Sequence, residues 1–123
     1  MKILVVDDEE GARELFKTIL TDEGYEVSLA NGGEEALALF KNTTFNLVIT
    51  DIKMPVMDGI ALALVAARDY PDLIIVLMTG FADQRERASG LDALIHDILT
   101  KPFAVADVQH AIRAALTAKG VTQ

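Results

Sequence analysis

With 123 residues, 11 Lys and Arg against 19 Asp and Glu and a formal net charge of −8, the chain has the length of one domain and lacks the basic face that nucleic acid or an anionic membrane requires. Hydrophobic residues make up 51% of it, enough for a sizeable core, and the absence of cysteine leaves no disulfide framework and no hint of an oxidising compartment. The acidic balance favours solubility and cationic partners, including a divalent metal.

Residues 3–6 form a short apolar run closed by Asp7 and Asp8. The run is too short for a signal peptide or a spanning helix, so a soluble cytoplasmic protein is expected. It reads as the first strand. Over 9–23, Ala12, Leu15, Phe16, Ile19 and Leu20 recur at helical spacing, acids come early and Gly24 closes the element. Residues 26–30 alternate polar and apolar, as a half-exposed strand does, and Asn31-Gly32-Gly33 breaks them. A short amphipathic helix is expected over 34–41. A third strand over 45–50 delivers Asp51 to its carboxyl end, before a loop with Pro55 and an Asp58-Gly59 turn signal.

Residues 59–70 read as a helix stopped ahead of Pro71, because the residue before proline disfavours the α region. Residues 73–78 are the strongest strand and end in Thr79-Gly80. A helix is expected over 83–94, with Ser89-Gly90 inside it, and a weak strand over 95–100. Lys101-Pro102-Phe103 turns the chain into a final helix whose stripe is Val105, Val108, Ile112 and Leu116. Strand and helix alternate five times, which argues an α/β fold with a parallel sheet covered on both faces. Residues 1–120 read as a single domain and 121–123 as a tail.

Parallel strands place their carboxyl ends on one edge, where open α/β sheets bind ligands. Asp7, Asp8, Asp51, Thr79 and Lys101 should converge there. Converging acids raise one another's pKa unless a cation intervenes, and Mg²⁺ suits an all-oxygen ligand set. A carboxylate beside Mg²⁺ and a lysine is placed to attack phosphorus, with positioning and positive charge supplying the catalysis. Asp51 is the candidate nucleophile, Asp7 and Asp8 the metal-site acids, Lys101 the partner of a phosphate oxygen and Thr79 a hydroxyl donor to the phosphoryl group.

The assembly resembles the receiver domain of two-component response regulators. Asp7-Asp8-Glu9, Asp51 with Met54-Pro55-Val56-Met57-Asp58-Gly59, Met78-Thr79-Gly80 and Thr100-Lys101-Pro102-Phe103 carry the likeness, in order and over the whole chain. The resemblance implies a flavodoxin-like (βα)5 fold with strand order 2-1-3-4-5. It implies that Asp51 accepts a phosphoryl group from a histidine kinase or histidine phosphotransfer protein. Asp8 would bind Mg²⁺ directly, Asp7 through water, and the Lys53 backbone carbonyl would add a ligand. Thr79 would move toward the phosphoryl group, and the peptide before Pro102 is often cis in this family. The face made by the fourth helix, fifth strand and fifth helix would then change shape for an output domain or downstream protein.

Such a module is a signalling switch that catalyses its own phosphotransfer and slow dephosphorylation, and not a turnover enzyme. It would not bind nucleic acid or membrane directly and would be a monomer or weak dimer. It could stand alone or belong to a larger regulator. Receivers usually carry Tyr or Phe three residues before the lysine; Ile98 stands there, so output is expected to rely on backbone shifts. A Gly-Ala pair often precedes the fifth strand, where Leu94-Ile95 stands, and the fourth helix is expected to be irregular. Lys53 and Phe81 occupy positions that tune dephosphorylation in relatives. A phosphatase of related chemistry would want a second Asp where Lys53 stands, and a phosphate-independent interaction module would not need the intact Asp pair, Thr79 and Lys101. His96 and His110 have no paired ligands and read as surface residues.

Overall fold

The unbroken apolar runs are the strands with every residue buried, β3 (Leu47–Asp51) and β4 (Ile74–Thr79). Both faces of a strand in the middle of a parallel sheet are covered, so alternation disappears there. The computed structural model describes residues 1–80, 89–91 and 93–120. The remaining elements are β1 (Lys2–Val6), α1 (Glu10–Asp22), β2 (Glu26–Ala30), α2 (Gly33–Asn42), α3 (Gly59–Asp69), β5 (Asp97–Thr100) and a C-terminal helix (Val105–Ala118). A 3-10 turn spans Ser89–Leu91. The strands form one parallel sheet in the order β2-β1-β3-β4-β5.

Two apolar clusters sandwich the sheet. One joins Leu4, Val48, Ile75 and Leu77 to Ala36 and Phe40 of α2 and Leu62, Ala63 and Ala66 of α3. The other joins Ile3, Val5, Leu47, Ile49, Val76 and Met78 to Phe16, Ile19 and Leu20 of α1 and Val108, Ile112 and Leu116 of the C-terminal helix. The periods expected from the sequence bury each face through Phe16, Ile19 and Leu20 of α1 and Val108, Ile112 and Leu116 of the C-terminal helix, whereas Leu15 and Val105, expected in the same stripes, are exposed.

Boundaries differ where side chains or register intervene. β3 begins at Leu47 rather than 45; just ahead of it Asn46 bonds to Lys2 twice, its N–H donating to the Lys2 carbonyl and its side-chain oxygen accepting from the Lys2 N–H, both at 2.8 Å. β5 begins at Asp97, where its ladder with β4 starts opposite Val76. The Asp58-Gly59 pair is a helix start: the Asp58 carboxylate accepts from the Ala61 N–H at 2.8 Å and caps α3. Most of the helix expected over 83–94, and Phe81, lie outside the described residues. Among the described residues no helix is long and apolar enough to cross a membrane.

Candidate functional site

Register alone brings the loaded strand ends together. Val6 pairs with Thr50, so the next residues, Asp7 and Asp51, leave β1 and β3 side by side. Asp51 pairs with Met78, one residue before Thr79, and Thr79 pairs with Thr100, one residue before Lys101. Alternation then sorts them. Asp7 follows Ile3 and Val5, Asp51 follows Leu47 and Ile49, and Lys101 follows Leu99, all on the side of α1 and the C-terminal helix. Thr79 and Ile98 belong to the other side, with Ile75 and Leu77.

The charges are close. Asp7, Asp8 and Asp51 each offer a carboxylate oxygen within 4.8 Å of the others, and Lys101 Nζ lies 3.4 Å from Asp51 Oδ2. Asp51 is 7% exposed and Asp7 fully buried, whereas Asp8 faces solvent. Burial pushes the Asp7 carboxyl above the ordinary carboxylate range; the Glu9 N–H, donating to Oδ1 at 3.0 Å, and Lys101 pull it down, and Asp51 and Asp8 push it up. Among the described residues Asp7 Oδ2 is buried without a hydrogen-bond partner. A buried carboxylate with an orphaned oxygen, grouped with two other acids, fits a small, hard divalent cation that accepts oxygen ligands alone.

Around the acids lies an open cleft lined by Asp8, Glu9, Asp51, Lys53, Gly80 and Lys101. The Lys101 N–H donates to the Thr79 carbonyl at 2.7 Å, the Lys101–Pro102 peptide is cis, and Phe103 packs edge-on against Phe16 of α1 with ring centroids 5.7 Å apart. These contacts tie the lysine to β4 and α1. Thr79 is buried at the end of β4, and Ile98 is partly buried against the α2–α3 side of the core.

Behind Asp51 the loop doubles back tightly. Gly59 N–H donates to the Ile52 carbonyl at 2.8 Å, and a Cβ at Gly59 would overlap the Asp51 carbonyl oxygen. Val56, 93% exposed, sits at φ +69°, a left-handed conformation that a β-branched residue rarely adopts. Sequence reasoning passed over Gly59's closeness, Val56's backbone and Arg13, whose guanidinium donates to the Asp7 carbonyl at 2.7 Å. An Arg one turn into a helix looks like any solvated lysine or arginine in sequence; only the fold brings it back over the acidic pair.

Comparison with known proteins agrees with this geometry. The family described as response regulator receiver domain matches residues 3–113. A probable transcriptional regulator of Porphyridium aerugineum is 38% identical over 115 residues, 94% of this chain and 48% of that protein. The chain spans about half the length of the regulators it matches. A CheY-like receiver domain protein from Methanospirillum hungatei superposes with a TM-score of 0.90 at 34% identity, covering 97% of this chain and 95% of that one. The response regulator TrrA from Thermotoga maritima, solved in complex with Mg(2+)-BeF, gives 0.84 at 35% identity, covering 94% and 98%. With its sheet order, its converging acids and a family match over nearly its whole length, the chain belongs to the response regulator receiver domain family.

Proposed function

We propose that this chain is a phosphorylation-controlled switch in which Asp51 accepts a phosphoryl group from a histidine of a kinase or phosphotransfer protein. Receiver domains are signalling modules of two-component systems and not metabolic enzymes. The observation that carries the finer reading is Asp51 at the centre of the acidic cluster, with Lys101 3.4 Å from its Oδ2. In the transfer an Asp51 carboxylate oxygen forms an O–P bond as the P–N bond to the donor imidazole breaks, and the leaving imidazole takes a proton from solvent. Lys101 pairs with a phosphoryl oxygen and holds it in line. Thr79 donates its hydroxyl to the group once formed. The carboxylates of Asp7, Asp8 and Asp51 and the Lys53 carbonyl would hold Mg²⁺, which supplies positive charge against the phosphoryl oxygens.

Residues 1–120 act as one receiver domain in the cytoplasm, as a monomer or weak dimer with no direct nucleic-acid or membrane contact. Thr79 and Ile98, on the same side of the sheet, carry the change to the β5 and C-terminal helix face. An output domain or downstream protein reads that face; the transcriptional regulators among the relatives, twice this length, support an output domain. With Ile98 in place of an aromatic ring, backbone shifts carry the output signal. The chain forms and slowly hydrolyses its own acyl phosphate without multiple turnover.

The test is intact mass after incubation with acetyl phosphate and Mg²⁺. A single adduct of about 80 Da, the mass of one phosphoryl group, is expected on the wild type, absent with EDTA and absent from Asp51→Asn. Adduct retained at unchanged stoichiometry in Asp51→Asn overturns the assignment of the acceptor.

A further inference from the structure

The Asp7 main chain is held by contacts of different kinds. Its N–H donates to the Ala30 carbonyl at 3.1 Å, and its Oδ1 accepts from the Glu9 N–H at 3.0 Å. Its carbonyl accepts from Arg13 Nη1 at 2.7 Å. Glu9, the residue that opens α1, makes no side-chain cap. The turn from β1 into α1 therefore leans on Arg13, which reaches back over the first turn of its helix. Asp7 is fully buried, so its carbonyl has no solvent to turn to if the guanidinium leaves. Among the described residues its Oδ2 is buried without a hydrogen-bond partner, and one of its carboxylate oxygens lies within 4.8 Å of a carboxylate oxygen of Asp8 and of Asp51.

We infer that Arg13 is a positioning residue for the divalent cation, fixing the Asp7 backbone so that the free carboxylate oxygen of Asp7 is aimed at the metal. The inference rests on the Mg²⁺ reading of the acidic cluster. It has a sign that a purely electrostatic role would reverse. A guanidinium bonded to the Asp7 carbonyl brings positive charge to the acidic turn and would compete with a divalent cation, so deleting its charge alone would tighten metal binding. Deleting a positioning contact weakens it, and partners one shell out from a metal typically carry tenfold or more of its affinity.

The experiment is a Mg²⁺ titration of the full chain followed by backbone amide shifts, on wild type and Arg13→Met. Arg13→Met keeps the aliphatic stem over the helix and removes the donor. A Kd weaker by about tenfold in the variant is expected. In the wild type, the Arg13 guanidinium N–H should give a distinct, slowly exchanging signal that shifts as Mg²⁺ is added; this second reading needs no variant and stands even if Arg13→Met does not fold. Unchanged or tighter binding by a folded Arg13→Met, or a solvent-averaged guanidinium signal indifferent to Mg²⁺, overturns the inference. A wild type that binds no Mg²⁺ overturns the metal reading itself, and this inference with it.

Discussion

The acidic cluster makes the metal-free protein work against itself, and Asp7→Asn should show by how much. At 4.8 Å, two full charges repel by about 3 kcal/mol at an effective dielectric constant of about 20. Asp7 faces two such neighbours, Asp51 and Asp8, while Lys101 offsets part of the repulsion and the open cleft screens more. Asparagine keeps the acceptor for the Glu9 N–H and turns the orphaned oxygen into a donor toward the remaining carboxylates. The expected gain is about 2 kcal/mol in EDTA at pH 7.5, roughly 8 °C in Tm for a chain of this size. The sign with pH follows from the raised Asp7 value. The native state holds that proton more tightly than the unfolded chain, so the stability it contributes is present at low pH and is lost as pH rises through the raised value. The gap between Asp7→Asn and wild type should therefore be widest at neutral pH and close as pH falls toward the ordinary carboxylate range. Added Mg²⁺ should reverse the order, since a ligand at a hundredfold excess over its Kd stabilises the wild type by about 2.7 kcal/mol and the variant hardly at all. Urea unfolding at several pH values, with and without Mg²⁺, measures all of this. An Asp7→Asn protein less stable than wild type in EDTA at neutral pH, or a gap indifferent to pH, would refute the reasoning.

Two further changes test the loop behind Asp51. Gly59→Ala puts a methyl group into the Asp51 carbonyl and should cost about 2 kcal/mol in urea unfolding, with slower adduct formation from acetyl phosphate because the acceptor strand end must shift. An alanine variant as stable and as reactive as wild type would mean the loop gives way freely. Val56→Asn should raise stability by about 1 kcal/mol, since asparagine tolerates the left-handed backbone and the valine side chain, almost wholly exposed, contributes no burial. Loss of stability in that variant would show that the valine makes a contact worth more than its strain.

The parallel sheet and the four loaded strand ends were legible because each rests on a local pattern: a short apolar run, a charged or hydroxyl-bearing residue at its end, a turn; the strand order followed from the family resemblance alone. Asp51 could be read as the centre from one stretch of sequence, 47–51. What could not be read lies in register and reach. Thr79 and Asp51 both end central strands, yet alternation sends them to opposite sides of the sheet, which depends on where each strand begins. Asn46 bonds to Lys2, 44 positions away in sequence, through its side chain as well as its backbone. Asp58 looked like a turn residue and became a cap, because both roles use the same short carboxylate bonded to a nearby N–H. Arg13 carries no motif at all.

These two kinds of legibility meet in how the switch is divided across the sheet. Asp7, Asp51 and Lys101 stand on the side of α1, whose Arg13 and Phe16 touch the acidic turn and the lysine turn respectively. Thr79 and Ile98 stand on the side of α2 and α3. On the proposed reading, chemistry at Asp51 would be buttressed by one layer and its consequence felt in the other. The buried threonine at the end of β4 pairs with Thr100 on β5, one residue before Lys101. The Lys101 N–H bond to the Thr79 carbonyl spans the same step. A phosphoryl group that drew Thr79 and Lys101 together would pull on both strands at once. On that reading, with the aliphatic Ile98 packed on the α2–α3 side, the backbone of β5 would be the element that moves the face beyond it.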